Sequence, residues 1–180
     1  MCDELKEKEL LARIDFLQKI ITRTDGFLNY ANTKSTIILT FITAITAAIC
    51  TNTGSALKYI DDKGHADIAV VFKSLVFLSI VFLLFAFYFV VKTIIPYVKK
   101  SPKRNFYSFI DTVEYYSSEG EYCSDFSNVS KSDIFDSLIS LQYNLSKGLV
   151  EKYKNHKRSI ICIISACFIL FLDMLLVFMI

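Results

Sequence analysis

Three long stretches without a single charged side chain dictate what this chain can become. Ser35 to Leu57 carries no charge, Ser74 to Val91 carries none, and Ser159 to Leu172 carries none before Asp173. A bilayer core of about 30 Å is crossed by about 20 helical residues. The first stretch meets that length alone. The second meets it once the turns around Ile68 to Phe72 and Lys92 are included, with Lys73 and Lys92 snorkelling toward headgroups. The third runs 22 residues to Ile180, with Asp173 inside it. Burial of these helices in a soluble core is a poor alternative. The chain is 53% hydrophobic over 180 residues, with a mean hydropathy of +0.43. Phe77, Phe82, Phe85, Phe87 and Phe89 crowd one segment, and little chain remains to cover them.

These stretches predict an all-α membrane protein with three transmembrane helices, a cytosolic N-terminal amphipathic helix and a cytosolic helical segment before the last span. The expected boundaries are 1–31 for the amphipathic helix, 32–54 for the first span and 55–67 for a periplasmic loop. The second span is placed at 68–93, the cytosolic aromatic and basic segment with its helix at 94–158, and the third span at 159–180. No apolar stretch with a cleavage site precedes the first span, so that span is expected to serve as an uncleaved signal anchor. Orientation follows from basic residues beside the spans. Lys6, Lys8, Arg13, Lys19, Arg23 and Lys34 precede the first. Lys92, Lys99, Lys100, Lys103 and Arg104 sit at one end of the segment between the second and third spans, and Lys147, Lys152, Lys154, Lys157 and Arg158 at the other. The loop between the first two spans has only Lys58 and Lys63, against Asp61, Asp62 and Asp67. The N-terminus and 94–158 are therefore expected inside, with 55–67 and Ile180 outside.

Along residues 3–30, Leu10, Ile14, Leu17, Ile21, Thr24 and Leu28 recur at alternating spacings of four and three, a heptad seam broken once by Thr24. It fits pairing with a second copy and packing on another helix of the same chain equally well. A helix suited to the second role begins at Ser130-Lys131-Ser132-Asp133, a capping box, and continues through Ile134, Leu138, Leu141 and Leu145 toward the third span. Gly148 costs that helix only about 1 kcal/mol. Likewise the N-terminal helix is expected to run on toward the first span, with Asp25-Gly26 as a place to bend. Pro96 ends the second helix. From there to Val129 the chain reads as irregular, with turns at Glu119-Gly120-Glu121 and Ser124 to Asn128.

Enzymatic chemistry finds no foothold. His65 and His156 belong to no metal-binding spacing, the five glycines are scattered, and no carboxylate pair is recognisable. No catalytic residue, metal or cofactor is expected. Cys2, Cys50, Cys123, Cys162 and Cys167 form no disulfide framework and read as small apolar residues. The basic and aromatic segment is more suggestive. Lys99, Lys100, Lys103 and Arg104 precede Phe106, Tyr107, Phe109, Tyr115, Tyr116, Tyr122 and Phe126, and such residues bind a phosphate and stack a nucleobase. They equally fit lysines on anionic lipid above a small aromatic core. Thr36, Thr40, Thr43 and Ala47 share one stripe of the first span, suited to close helix packing or to a polar pore in an assembly. Asp173 is the one carboxylate inside a span, where acids are costly and often functional; gating or assembly are its candidate roles.

The ordered features resemble the transmembrane effectors of the bacterial pyrimidine-cyclase anti-phage system, Pycsar. The likeness covers about Leu28 to the end. It rests on Asn32-Thr33-Lys34-Ser35 before the first span and Phe-Tyr-Phe-Val-Val-Lys-Thr-Ile-Ile-Pro (87–96) closing the second. Phe106-Tyr107-Ser108-Phe109-Ile110 with Glu114-Tyr115-Tyr116 follows, and then Gln142 and Lys152-Tyr153. Asn32 stands where the family tends to have an acid, and Ser108-Phe109 where it tends to have Gly-Asp. The resemblance implies a multi-pass protein of the bacterial inner membrane with a cytoplasmic N-terminus. Its activator would be a 3',5'-cyclic pyrimidine nucleotide, cyclic CMP or cyclic UMP, made by a cognate cyclase on infection. Its output would be loss of membrane integrity and cell death. The ligand set expected on this basis is Asn32, Lys34, Lys99, Arg104, Tyr107, Tyr115, Gln142 and Lys152, with Thr36, Thr40, Thr43 and Asp173 serving assembly or a pore. The expected partners are the lipid bilayer, the messenger and further copies of the chain, with no nucleic acid polymer. The rival readings are an effector of another nucleotide-signalling defence system, or a non-catalytic subunit docking through its heptad seam.

Overall fold

The computed structural model describes residues 2–96, 101 and 105–180, with the side chains of Cys2 and Asp3 left aside. Five helices follow one another: α1 (Cys2–Asp62), α2 (Ala66–Ile94), α3 (Phe109–Tyr115), α4 (Glu119–Ser127) and α5 (Lys131–Phe178). There is no strand among the described residues. α1, α2 and α5 are each long and apolar enough to cross a membrane. The chain divides into two compact units, Met1–Tyr30 with Pro96–Glu151, and Ala31–Ile95 with Lys152–Ile180, so that α1 and α5 contribute residues to both.

In the second unit each long helix buries one stripe. On α2 the stripe is Ala69, Phe72, Val76, Ser79, Leu83, Ala86, Val90 and Thr93, alternating steps of three and four along its whole length. That period keeps a seam facing its neighbours, and the small residues in it let helix backbones approach closely. The opposite face, with Phe77, Leu84, Phe85 and Tyr88, is exposed, as a lipid-facing surface requires. α1 buries Ala31, Ser35, Ile42, Ile49 and Ile60, and α5 buries Ser159, Ile163, Ala166, Ile169 and Asp173.

α1 passes through Asp25-Gly26 and continues to Asp62, so residues 55–62, expected in a loop, are helical. The turn to α2 is only residues 63–65. Gly64 adopts φ +78°, and its N–H and that of His65 bond back to the carbonyls of Asp61 and Ile60 at 2.9 and 3.3 Å. This is a Schellman stop, and its left-handed position favours glycine.

The first unit carries the N-terminal part of α1, α3, α4 and the first turns of α5. The heptad positions Leu10, Ile14, Leu17, Ile21 and Leu28 are half-buried and Thr24 is buried. Gln142 of α5 donates its amide to the Thr24 hydroxyl at 3.0 Å, and Lys131 donates to Glu7. The seam therefore packs within the chain. The capping box is present, with the Asp133 N–H on Ser130 Oγ at 3.2 Å and the Ser130 N–H on Asp133 Oδ2 at 3.1 Å.

α3 and α4 occupy ground expected to be irregular, and α4 takes in the first expected turn and all of the second but Asn128, its C-cap. The reason is local capping. Ser108 accepts from the Asp111 N–H at 3.4 Å and Ser118 from the Glu121 N–H at 3.3 Å. Glu121 also accepts from the Ser117 hydroxyl at 2.7 Å and from the Ser117 N–H at 3.0 Å, and these bonds, the hydroxyl's first, hold its carboxyl below the usual range. Phe106, Phe126, Tyr122 and Tyr116 pack ring against ring at centroid separations of 5.1–5.9 Å, so these aromatics form a half-exposed cluster of their own.

Candidate functional site

Polar side chains on the buried faces of the second unit gather where α1, α2 and α5 meet. Lys152 is buried, and its ammonium donates to Asn32 Oδ1 at 2.9 Å and to the backbone carbonyl of Thr93. Thr93 lies in the last turn of α2, where unpaired carbonyls and the helix dipole present negative charge. One cation thus ties three helices. Burial pushes the Lys152 pKa down. One turn on, buried His156 places Nε2 2.7 Å from the Ser35 hydroxyl, which also donates to the Ala31 carbonyl at 2.9 Å. The His156 pKa is lowered by burial first, then by the charges of Lys34 and Lys152. Ser159 completes the face by donating to the Ala86 carbonyl at 3.1 Å. Lys152, His156 and Ser159 are four and three apart, so they share one face of α5.

The first unit has its own buried polar group. The Ser101 N–H donates to Asp111 Oδ1 at 2.8 Å, and the Tyr115 hydroxyl donates to the Ser101 carbonyl at 2.7 Å. Asn144 donates to Ser101 Oγ at 3.0 Å, and Asn105 to the Ser137 carbonyl at 2.9 Å.

The expected site residues are distributed as follows. Asn32 and Lys152 are brought together, and Lys34 lies on α1 two residues from Asn32. Tyr107 exposes its ring while its N–H donates to Asn105 Oδ1 at 2.9 Å. Tyr115 is fixed through Ser101, and Gln142 binds Thr24 and Ser146. Lys99 and Arg104 lie outside the described residues. Thr36, Thr40 and Thr43 are exposed, each hydroxyl donating to the carbonyl four residues back at 3.3, 3.1 and 2.9 Å. Asp173 lies on the buried face of α5. Sequence reasoning missed Ser35, Thr93, His156 and Ser159, together with Ser101, Asn105, Asp111 and Asn144. A polar stripe at 152, 156 and 159 leading into an apolar span was the available signal for the first group. Among the described residues no cluster suits a metal ion, and Cys50, Cys123, Cys162 and Cys167 are free thiols.

Three apolar helices with polar ties on their buried faces define a helical integral membrane protein. The family model described as the Pycsar effector protein domain matches residues 16–180, and the chain belongs to that family. It is a membrane effector of anti-phage defence, in a family of effectors and not a known catalytic one. No curated protein and no solved structure matches the chain.

Proposed function

We propose that a 3',5'-cyclic pyrimidine nucleotide, cyclic CMP or cyclic UMP from a cognate cyclase, activates this protein, which then impairs the bacterial inner membrane and kills the infected cell. Family membership over residues 16–180 carries the reading. The rival docking role for the heptad seam loses support because that seam is already engaged within the chain.

In this reading the chain is oriented with its N-terminus and 94–158 in the cytoplasm. The phosphate is received by Lys99 and Arg104 and the base by Tyr107 or Tyr115, with Gln142 on the neighbouring helix face. Tyr107 offers the exposed ring. A messenger that binds one helix arrangement better than another shifts the population toward it. The change passes along α1 and α5, which contribute to both units. Asn32, Lys34 and Lys152 then act at the helix tie, and the threonine stripe at 36, 40 and 43, already exposed, packs against further copies of the chain.

Thermal unfolding of the purified protein with cyclic CMP, cyclic UMP and cyclic AMP tests the trigger. A rise with a pyrimidine but not with the purine nucleotide is expected; equal curves in all three would sink it. In cells supplied with the messenger, depolarisation is expected with the wild type and lost with Tyr107→Ala. Depolarisation that persists in Lys34→Ala/Lys152→Ala would remove those two lysines from the trigger.

A further inference from the structure

Asp173 is 4% exposed, and neither of its carboxylate oxygens has a hydrogen-bond partner among the described residues. It lines a cavity of about 430 Å³ within the second unit, walled mainly by apolar side chains such as Ile49, Phe72 and Leu170. The other polar residues in the wall are Asn52 and Thr53 of α1. Their donors are already used. The Thr53 hydroxyl donates to the Ile49 carbonyl at 2.6 Å, and the Asn52 amide nitrogen donates to the Ala48 carbonyl at 2.7 Å and to Thr51 Oγ1 at 3.1 Å. What the polar residues of the wall have left is a set of acceptors: two carboxylate oxygens, the Asn52 amide oxygen and the Thr53 hydroxyl oxygen. No other residue of the wall is ionisable, on α1, α2 or α5.

An uncompensated carboxylate among hydrocarbon is expensive, so a partner that brings both charge and donors is strongly favoured here. The volume is in the range of small-molecule sites, which are mostly apolar with a few fixed polar groups. We infer that this cavity binds an ammonium group carried on an apolar chain, its N–H donors on Asp173, Asn52 and Thr53 and its chain along Ile49, Phe72 and Leu170. A bare alkali cation would satisfy the oxygens but leave the apolar wall unused. The ammonium can come from an aminolipid headgroup or from a free membrane-partitioning amine.

The test uses the full chain in phosphatidylcholine nanodiscs, whose lipid carries no primary amine, with thermal unfolding as the readout. Decylammonium is expected to raise the midpoint of the wild type and to bind Asp173→Asn at least about tenfold more weakly. Decyltrimethylammonium, which has the charge but no N–H donor, is expected to bind more weakly than decylammonium. Replacing phosphatidylcholine by phosphatidylethanolamine is expected to raise the wild-type midpoint and not that of Asp173→Asn if the headgroup is the source, and to leave both unchanged if free amines are. Equal decylammonium shifts in the two proteins would show mere partitioning and overturn the proposal. So would a shift produced by potassium or sodium ions alone. A wild type that responds to no amine but changes from monomer to oligomer on Asp173→Asn would assign the carboxylate to contact between copies instead. None of these readouts depends on the nucleotide trigger.

Discussion

The second unit treats buried polar groups in two opposite ways at its two ends. Near 31–35, 86–93 and 152–159, buried Lys152, His156, Ser35 and Ser159 are wired to one another, to helix carbonyls and to the exposed Asn32. Near 49–53, 72–76 and 170–174, Asp173 lies equally buried beside a cavity and touches no partner among the described residues. Both ends spend the same rare resource, a polar side chain on an otherwise apolar seam. At the wired end that resource fixes helix register, since each bond demands one relative position of two helices. At the open end it fixes nothing within the chain and leaves a demand to be met from outside.

The largest effect expected from this contrast is a pair of stability changes of opposite sign. Lys152→Ala leaves the Thr93 carbonyl without its cation and unties Asn32, and should destabilise the chain by about 1–3 kcal/mol. Asp173→Leu removes an unpartnered acid from the same helix and should stabilise it by about 1–2 kcal/mol. Denaturant unfolding in mild detergent measures both. Losses of equal size at the two positions would erase the distinction.

A smaller effect concerns pH. The folded-state pKa of His156 is depressed below its ordinary 6.5 by burial and by Lys34 and Lys152. The unfolded chain therefore takes up a proton at His156 that the folded chain resists. Stability is full above about pH 6.5 and falls as the pH drops below that value. The unfolding midpoint should decline between about pH 7 and pH 5 in the wild type, and Gln in place of His156 should flatten that decline. An unchanged slope in His156→Gln would mean that the ring is not held neutral by its surroundings.

Much of the architecture was legible because hydrophobic length and period are local properties of sequence. The charge-free stretches mark the three long helices, and the half-buried heptad from Leu10 to Leu28 follows the seam read from spacing alone. What was not legible depended on partners distant in sequence. Whether that seam meets α5 or a second copy turns on Thr24 finding Gln142 and Glu7 finding Lys131. His156 looked like one more residue among lysines until Ser35, 121 positions away, came within hydrogen-bond reach. α3 and α4 were hidden for a different reason. Runs of seven and nine residues with no apolar period read as irregular chain, yet Ser108 and Ser118 each accept from an N–H of the first turn and make helix the better choice.

The smallest effect sets a limit on the contrast, because a polar contact fixes register only where water cannot compete. Lys131 and Glu7 are the most conspicuous ion pair in the first unit, and the ammonium holds the Glu7 carboxyl below its usual range. Their side chains are nevertheless 48% and 54% exposed, where salt screens the attraction and ordering two long side chains offsets it. Lys131→Ala should leave the unfolding midpoint unchanged at high salt and within error of wild type at low salt. Thr24→Val, which strips the buried hydroxyl from the Gln142 amide in the same unit, should cost about 1 kcal/mol at either salt concentration. A salt-dependent loss in Lys131→Ala larger than the loss in Thr24→Val would show that surface charge holds α1 to α5. Burial would then no longer separate the contacts that fix this protein from those that decorate it.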